Sequence, residues 1–319
     1  MKRLLHHPRA IRHLRPLKPL YRRLAGRAAP AALTTGEAAG LLAGLGGRAV
    51  FLFAFGRSGS TVLCDFLGSH RHVVSLGEPL NESAFHSLFR TLGRGPGGGA
   101  SPSAIQAGFY RYVARLVDRN PGMRCVFDLK LESLHVIEGN WRDPGPRFQV
   151  FDALAGSGCP VILLERRDLA LRHLSAQLAV RRRRFHSFEP GAGAVEPFEI
   201  DTAALVGQAR AQREQIACVR EAFAGAPGFL HLCYEDLFAA DGGGTRIAPG
   251  VVQAVAELLD VDADGFDPVP SLARLGADDP GRHVRNRAEF EACRRGLLAE
   301  ISADAAQDAS GARRGRAPA

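Results

Sequence analysis

The chain has 319 residues, 46% of them hydrophobic, which is enough to bury a substantial core in one α/β domain. Its 41 lysines and arginines exceed the 33 acidic residues, but nine of these basic residues lie in residues 1–27, where there is no acid. The rest of the chain has 32 basic and 33 acidic residues, a net charge of about −1. The composition therefore excludes a nucleic-acid-binding surface spread over the whole protein.

The first 46 residues form a basic arm that we expect to be partly disordered. Pro8, Pro16 and Pro19 interrupt any long helix, and the arm lacks the continuous apolar stretch of a secretory signal. Its positive charge suits peripheral contact with an anionic membrane surface, a protein partner or a disordered segment. The six cysteines form no CxxC pair, and most lie in apolar runs, as reduced core thiols do. We expect a cytoplasmic protein, with or without membrane association, and no metal ligand set.

Apolar runs of strand length alternate with segments of helical periodicity from residue 47 to residue 301. The predicted strands are 49–55, 72–76, 124–130, 160–164 and 228–233. The predicted helices are 61–69, 81–92, 103–118, 147–156, 169–183, 203–224 and 250–260. This alternation predicts an α/β fold, with a P-loop-like open and mainly parallel sheet flanked by helices on both faces. Residues 302–319 are expected to be a disordered tail.

The most informative motif follows the first predicted strand. This strand leads into Gly56-Arg57-Ser58-Gly59-Ser60-Thr61, and Leu63, Phe66 and Leu67 continue at helical spacing. A strand, a glycine- and hydroxyl-rich loop and a helix N-terminus together hold a phosphate, because the loop N–H groups and the helix dipole both favour an anion. The sequence therefore predicts a phosphate cradle whose only cation is Arg57.

The loop differs from two related motifs. A Walker A loop carries a lysine directly before its Ser or Thr, where this chain has Ser60, and a nucleophile elbow needs a Gly-x-Ser-x-Gly pattern that is missing here. The glycine-rich segment 44–49 precedes the strand, so it is no dinucleotide fingerprint. A cradle without lysine suits a doubly charged phosphoester better than a magnesium-bound triphosphate. A P-loop nucleotide kinase or NTPase is one alternative, but it would need that lysine and a magnesium-binding Asp after a later strand.

Polar residues follow two further strands. Glu78 comes shortly after strand 72–76, so it should emerge at the carboxyl edge of the sheet, where ligands bind in open α/β folds. Lys130 ends strand 124–130, and His135 follows a few residues later. These side chains are candidates for a catalytic pocket.

A second basic segment follows strand 160–164. Arg166 and Arg167 precede a helical pattern in which Ser175 lies two turns from Asp168 on the same face, about 10 Å along the axis. An arginine folded along this helix and the serine hydroxyl could therefore meet on one phosphate. Four arginines at 181–184 end the helix; a solvated helix end is the default interpretation, and binding of an acidic acceptor is the alternative.

The loop resembles the 5′-phosphosulfate loop of sulfotransferases that use 3′-phosphoadenosine 5′-phosphosulfate (PAPS). It is most similar to the bacterial carbohydrate and lipid branch, the trehalose and nodulation-factor type, in which RSGST is common. The resemblance spans roughly residues 48–292. It implies that PAPS is bound by Arg57, Ser58, Gly59, Ser60 and Thr61.

The resemblance also implies a site for the 3′-phosphate of PAPS. The family places an Arg at the end of a strand and a Ser eight positions later, and Arg167 and Ser175 have this spacing. A basic segment near the C-terminus often closes over the nucleotide, which implies that Arg285 and Arg287 reach the same phosphate. The segment 232–237 is similar to the YEDL segment of the family, and we expect a structural role for it.

The implied reaction is the in-line transfer of a sulfuryl group from PAPS to a hydroxyl of a carbohydrate, glycolipid or small metabolite, without a metal. Arg57 and the loop N–H groups would stabilise the leaving phosphate. Glu78 would be the general base, since trehalose-type enzymes carry a catalytic glutamate in a matching GEP segment, and Glu82 is a second candidate. Lys130 resembles a family lysine close to the acceptor. A non-catalytic nucleotide- or glycan-binding protein of the same fold is the other alternative.

Overall fold

The computed structural model describes residues 33–81, 88, 102–138, 147–182, 195–239, 246–271 and 280–314. The arm at 1–32, Glu82, Arg183, Arg184 and most of the predicted helix 81–92 lie outside the described residues. Among the described residues, no helix is both long enough and apolar enough to span a membrane.

Five parallel strands form one sheet in the order β2-β3-β1-β4-β5. Their bounds are β1 Ala49–Ala54, β2 Val73–Ser75, β3 Arg124–Lys130, β4 Val161–Glu165 and β5 Phe229–Cys233. In register, Ala54 of β1 lies beside Lys130 of β3 and Leu164 of β4. The α/β fold class and the parallel sheet predicted from the sequence are confirmed.

Nine α-helices lie within the described part of the chain. They are α1 Thr35–Ala43, α2 Ser60–Leu67, α3 Pro102–Asp118, α4 His135–Glu138, α5 Gln149–Ala155, α6 Leu169–Arg182, α7 Thr202–Ala222, α8 Pro249–Leu259 and α9 Arg287–Arg314. Short 3₁₀ helices cover Leu131–Ser133, Tyr234–Asp236, Ala263–Gly265 and Pro280–His283.

Both faces of the sheet are covered by helices. All six residues of β1 are buried, as expected for the central strand of a parallel sheet. On one face, residues of α1, α3, α5 and α7 pack against Phe51 and Phe53; on the other, α2 and α8 pack against Val50 and Leu52. A third apolar cluster joins α6, α7 and α9, and it sets α6 beside the carboxyl edge of the sheet.

Two chain ends differ from the sequence prediction. Residues 35–43, predicted as part of the arm, form α1, whose Ala38 and Leu42 are buried in the main core. The capping box between Thr34 and Glu37 fixes where this helix begins. Disorder was predicted from residue 302, whereas α9 continues to Arg314, and this stretch is rich in alanine, the strongest helix former.

Candidate active site

The predicted phosphate loop connects the end of β1 to α2 at the carboxyl edge of the sheet. Gly59 is the N-cap of α2, with a φ of +88°, and a Cβ there would lie 2.5 Å from the ring of Tyr234. Arg57 also has a positive φ, +70°, so two residues of the loop are in the left-handed region. Ser58 and Ser60 are buried. The loop therefore turns tightly and presents the first-turn amides of α2, which have no acceptor within the helix.

Hydrogen bonds of three arginines, one of them in the loop itself, connect this loop to its surroundings. Arg57 Nε donates to Ser175 Oγ of α6 at 3.2 Å. Arg166 Nη1 donates to the carbonyl of Arg57 at 3.0 Å, and Arg172 Nη1 donates to the carbonyl of Gly56 at 2.7 Å. These contacts join the loop to the end of β4 and to α6, where the second basic segment of the sequence lies.

The electrostatics of this cluster favour an anion. Burial lowers the pKa of Arg57, and the charge of Arg166 lowers it further. Burial also lowers the pKa of Arg172, with Glu132 opposing the shift and Arg166 adding to it. Mutual repulsion between the guanidinium groups is relieved when a phosphate or sulfate lies among them.

The two consecutive arginines after β4 point to different partners. The guanidinium of Arg166 lies 4.7 Å from the centre of the Tyr234 ring, on the loop side. Arg167 instead forms ion pairs with Asp236, at 2.6 Å, and with Glu235, at 3.6 Å, and its side chain is 42% exposed. The sequence-predicted phosphate ligand Arg167 is thus paired with carboxylates, and Arg166 contacts the loop.

The YEDL segment, residues 234–237, contacts both the loop and the turn after β4. The carboxylate of Glu235 accepts hydrogen bonds from the backbone N–H groups of Arg167 and Asp168, at 3.1 and 3.0 Å. Tyr234 packs against the Gly59 side of the loop. The segment therefore fixes the turn between β4 and α6, in agreement with the structural role expected for it.

Glu78 and Lys130 meet at the same edge of the sheet. Lys130 Nζ lies 3.3 Å from Glu78 Oε1 and 2.6 Å from Asp128 Oδ2, and it also donates a hydrogen bond to Ser60 Oγ. Asn81 Nδ2 donates to Glu78 Oε2 at 3.0 Å. A continuous polar chain therefore runs from the candidate base Glu78 to the phosphate loop.

Asp128 is a member of this network that sequence reasoning missed. Burial raises its pKa and the charge of Lys130 opposes that shift; among the described residues, no group donates a hydrogen bond to Oδ1. Burial would lower the pKa of Lys130, but the carboxylates of Asp128 and Glu78 outweigh it and raise that pKa. Lys130 is therefore a hydrogen-bond donor and a positive charge, and it is unsuited to be a base. The sequence did contain a sign of this residue: Asp128 is an acid within the apolar strand β3. That strand pairs with β1, which leads into the loop.

A cavity of about 250 Å³ adjoins the loop on its α7 side. Its lining includes the rings of Phe55 and Phe148, the side chain of His135, and polar side chains of α7: Gln208, Gln212 and Gln215. Glu132 also lines it, and its Oε1 accepts a hydrogen bond of 2.8 Å from the N–H of Gly56. The structure thus places His135 in the lining of a cavity beside the loop.

Arg285 lies near the C-terminal end of α6. Arg285 lines a second cavity, of about 640 Å³, together with Arg181, Phe198 and two glutamates, Glu196 and Glu199. Arg181 is six residues beyond Ser175, about 9 Å along the helix. Arg287 is the first residue of α9. The cavity at Arg285 is thus next to the end of α6 that follows Ser175.

The similarity of this chain to known proteins is low. No protein-family model matches the chain, and no curated protein is similar to it in sequence. Among solved structures, the sulfotransferase from Alicyclobacillus acidocaldarius is similar to it, with 15% identity and a TM-score of 0.38, over 78% of this chain and 95% of that chain. At this identity and TM-score the likeness carries no argument about activity, which rests on the site itself.

Proposed function

We propose that this protein is a PAPS-dependent sulfotransferase that acts on a hydroxyl of a carbohydrate, glycolipid or small-metabolite acceptor. The observation that carries the proposal is the 3.2 Å hydrogen bond from Arg57 to Ser175. It joins the loop to α6, the two elements that the sequence resemblance associates with the two ends of one bisphosphorylated nucleotide. Arg57 would therefore bind both the 5′ end and the 3′-phosphate of that nucleotide.

The donor site combines an anion-binding loop with a crowded set of cations. Arg57 lies in the loop, Arg166 and Arg172 contact it, and the pKa values of Arg57 and Arg172 are lowered by burial. Ser58, Gly59, Ser60 and Thr61 supply backbone and hydroxyl donors at the start of α2. This arrangement favours a ligand with several phosphate or sulfate oxygens.

The transfer step uses Glu78 as the base. Its carboxylate takes the proton of the acceptor hydroxyl, the acceptor oxygen forms a bond to sulfur, and the bond from sulfur to the 5′-phosphate oxygen breaks. The leaving group is 3′,5′-bisphosphoadenosine (PAP), whose new charge is stabilised by Arg57 and the loop N–H groups. Lys130 holds Glu78 on one side and Ser60 on the other, so it orients the base toward the loop.

The cavity beside the loop suits a carbohydrate acceptor. Aromatic faces bind the apolar faces of sugar rings, and the amides of Gln208, Gln212 and Gln215 can each donate to and accept from a hydroxyl. A volume of about 250 Å³ fits one small acceptor group at a time.

The arrangement around Lys130 disfavours the kinase alternative. In P-loop NTPases a magnesium ion is held between the loop Ser or Thr and an Asp of a neighbouring strand. Here the ammonium group of Lys130 contacts Asp128 and Ser60, and Ser60 stands where a Walker A loop has its lysine. Asp128 is therefore already paired with a protein cation, which disfavours it as a magnesium ligand.

Nucleotide binding and transfer test the proposal together. We would measure by calorimetry the affinity for PAP, for its analogue without the 3′-phosphate and for magnesium ATP, and then incubate the protein with radiolabelled PAPS and a panel of carbohydrates and glycolipids. We expect PAP to bind at least about tenfold more tightly than the analogue, because charge-assisted hydrogen bonds to the 3′-phosphate are lost. Tighter binding of magnesium ATP than of PAP would refute the proposal. PAP binding without transfer to any acceptor would favour a binding protein.

A further inference from the structure

A group of metal-ligating side chains lies at the edge of the sheet, outside the proposed active site. Glu165 is the last residue of β4, and it pairs in register with Cys233 at the end of β5. His231 lies two residues before Cys233 on the same strand, so both side chains leave the same face of the sheet. The ligand atoms of Glu165, His231 and Cys233 all lie within 4.8 Å of one another.

We propose that Glu165, His231 and Cys233 bind one transition-metal dication of the zinc type. The ligand atoms are a carboxylate oxygen, an imidazole nitrogen and a sulfur, which is a set that zinc and cobalt accept. Three protein ligands leave a fourth position for water in a tetrahedral site. His231 Nε2 already lies 2.9 Å from Glu165 Oε2, so a small separation of these two atoms admits an ion between them.

The local charge supports a dication at this position. Three carboxylates, those of Glu165, Glu235 and Asp236, lie near the Cys233 sulfur together with one cation, Arg167. These four side chains have a net negative charge, which a dication would offset. Metal binding releases the thiol proton to solvent and leaves a thiolate bound to the ion.

The place of this site in the fold indicates what the ion would do. Cys233 immediately precedes the 3₁₀ helix that carries Tyr234 and Glu235. Tyr234 packs at Gly59, and Glu235 fixes the turn into α6. An ion bound to β4 and β5 would therefore brace the strand ends that support the donor site, without contact to the reacting groups.

The sequence carries little sign of this site. His231-x-Cys233 is a two-residue spacing on one strand, and the third ligand is 66 positions earlier on β4. Glu165 reaches the other two ligands only through the parallel pairing of β4 with β5. Because this pairing cannot be read from local spacing, the sequence did not predict a metal site.

Cobalt titration tests the proposal. The full chain is freed of metal with a chelator, and Co²⁺ is added while thiolate-to-cobalt charge-transfer absorption is followed in the near ultraviolet. The variants are Cys233→Ser and His231→Ala, and the matched control is Cys218→Ser, which alters another partly exposed cysteine, on α7. Circular dichroism tests whether each variant is folded. Glu165→Gln takes the place of a variant that fails to fold.

We expect the wild type and Cys218→Ser to bind one Co²⁺ with a charge-transfer band. Cys233→Ser should lose the band. His231→Ala or Glu165→Gln should bind cobalt at least about tenfold more weakly, because even the loss of a group that only hydrogen-bonds to a metal ligand weakens binding by about this factor. Zinc should raise the thermal midpoint of the wild type and of Cys218→Ser only. No band in the wild type, a band that survives in Cys233→Ser, or one that is lost in Cys218→Ser would each overturn the assignment. None of these readouts depends on sulfotransferase activity.

Discussion

Arg57 donates a 3.2 Å hydrogen bond from Nε to the hydroxyl of Ser175, although the two residues are 118 positions apart in the chain. The contact makes one binding surface out of the loop after β1 and the helix after β4. It also orients the Arg57 guanidinium, a group whose N–H donors suit an anionic ligand.

The Arg57 to Ser175 contact predicts a loss of nucleotide affinity when the hydroxyl is removed. Ser175→Ala removes the proposed donor to the 3′-phosphate and one hydrogen-bond partner of Arg57, so we expect the Kd for PAP to rise about tenfold or more. Calorimetric titration with PAP measures it. Ser302→Ala, which changes an exposed serine of α9, is the control and should bind PAP as the wild type does. An unchanged Kd in Ser175→Ala would remove this hydroxyl from the donor site.

The two arginines after β4 should differ in effect. Arg166→Ala removes a loop contact and one charge of the cluster, so we expect PAP affinity to fall by about tenfold or more. Arg167→Ala removes an exposed ion pair, which is worth about 1 kcal/mol or less, and it should change PAP affinity much less. The Kd values of the two variants for PAP, measured by calorimetry, show which arginine contributes more to nucleotide binding. The reverse order would restore Arg167 as the phosphate ligand that the sequence resemblance implies.

Glu78→Gln tests the base. The amide keeps the size of the side chain and can still contact Lys130, but it cannot take a proton, so we expect kcat to fall about 10²- to 10⁴-fold. The Kd for PAP should stay within about twofold of the wild type, as expected for a group that acts on the acceptor. The measurement is radiolabelled transfer at saturating PAPS.

Glu132→Gln is the competing variant to Glu78→Gln, because Glu132 lines the cavity proposed for the acceptor. Glu132 lies beside the loop and contacts the N–H of Gly56, so its change alters a nearby carboxylate without touching Glu78. A larger loss of kcat in Glu132→Gln than in Glu78→Gln would assign the base to the cavity wall.

The pair of Lys130 and Asp128 predicts a dependence of stability on pH. Lys130→Met leaves the buried Asp128 without its ammonium partner, which should cost about 3–5 kcal/mol near neutral pH. Because burial raises the pKa of Asp128, the folded variant keeps a proton that the unfolded chain loses above about pH 3.9. The free energy of unfolding should therefore fall as pH rises from this value through the folded pKa.

Urea unfolding at about pH 4.5 and about pH 7.5 measures this dependence. The double variant Asp128→Asn, Lys130→Met carries neither charge, so its stability should change less between the two pH values. If Lys130→Met were equally stable at both, Asp128 would not titrate as its burial requires.

The sequence by itself determined the strands of the sheet and the loop between β1 and α2. Runs of apolar residues marked β1 and β3 to within one residue, because a buried parallel strand has to be apolar on both faces. The glycine- and hydroxyl-rich loop could also be predicted, since a loop of this kind is specified by consecutive residues and their backbone conformation. Glu78 and Lys130 were placed at one edge because parallel strands end on the same side of the sheet.

Only the tertiary structure decided which neighbours these residues have. A local pattern cannot tell whether Arg166 or Arg167 faces the loop, because that depends on the carboxylates that Tyr234–Asp236 brings from β5. Nor can it show that Asp128 lies beneath Ser60 and Lys130. The group at Glu165, His231 and Cys233 likewise depends on strand register. Each of these contacts joins positions far apart in the chain, and their energies come from packing and charge that exist only once the sheet has formed.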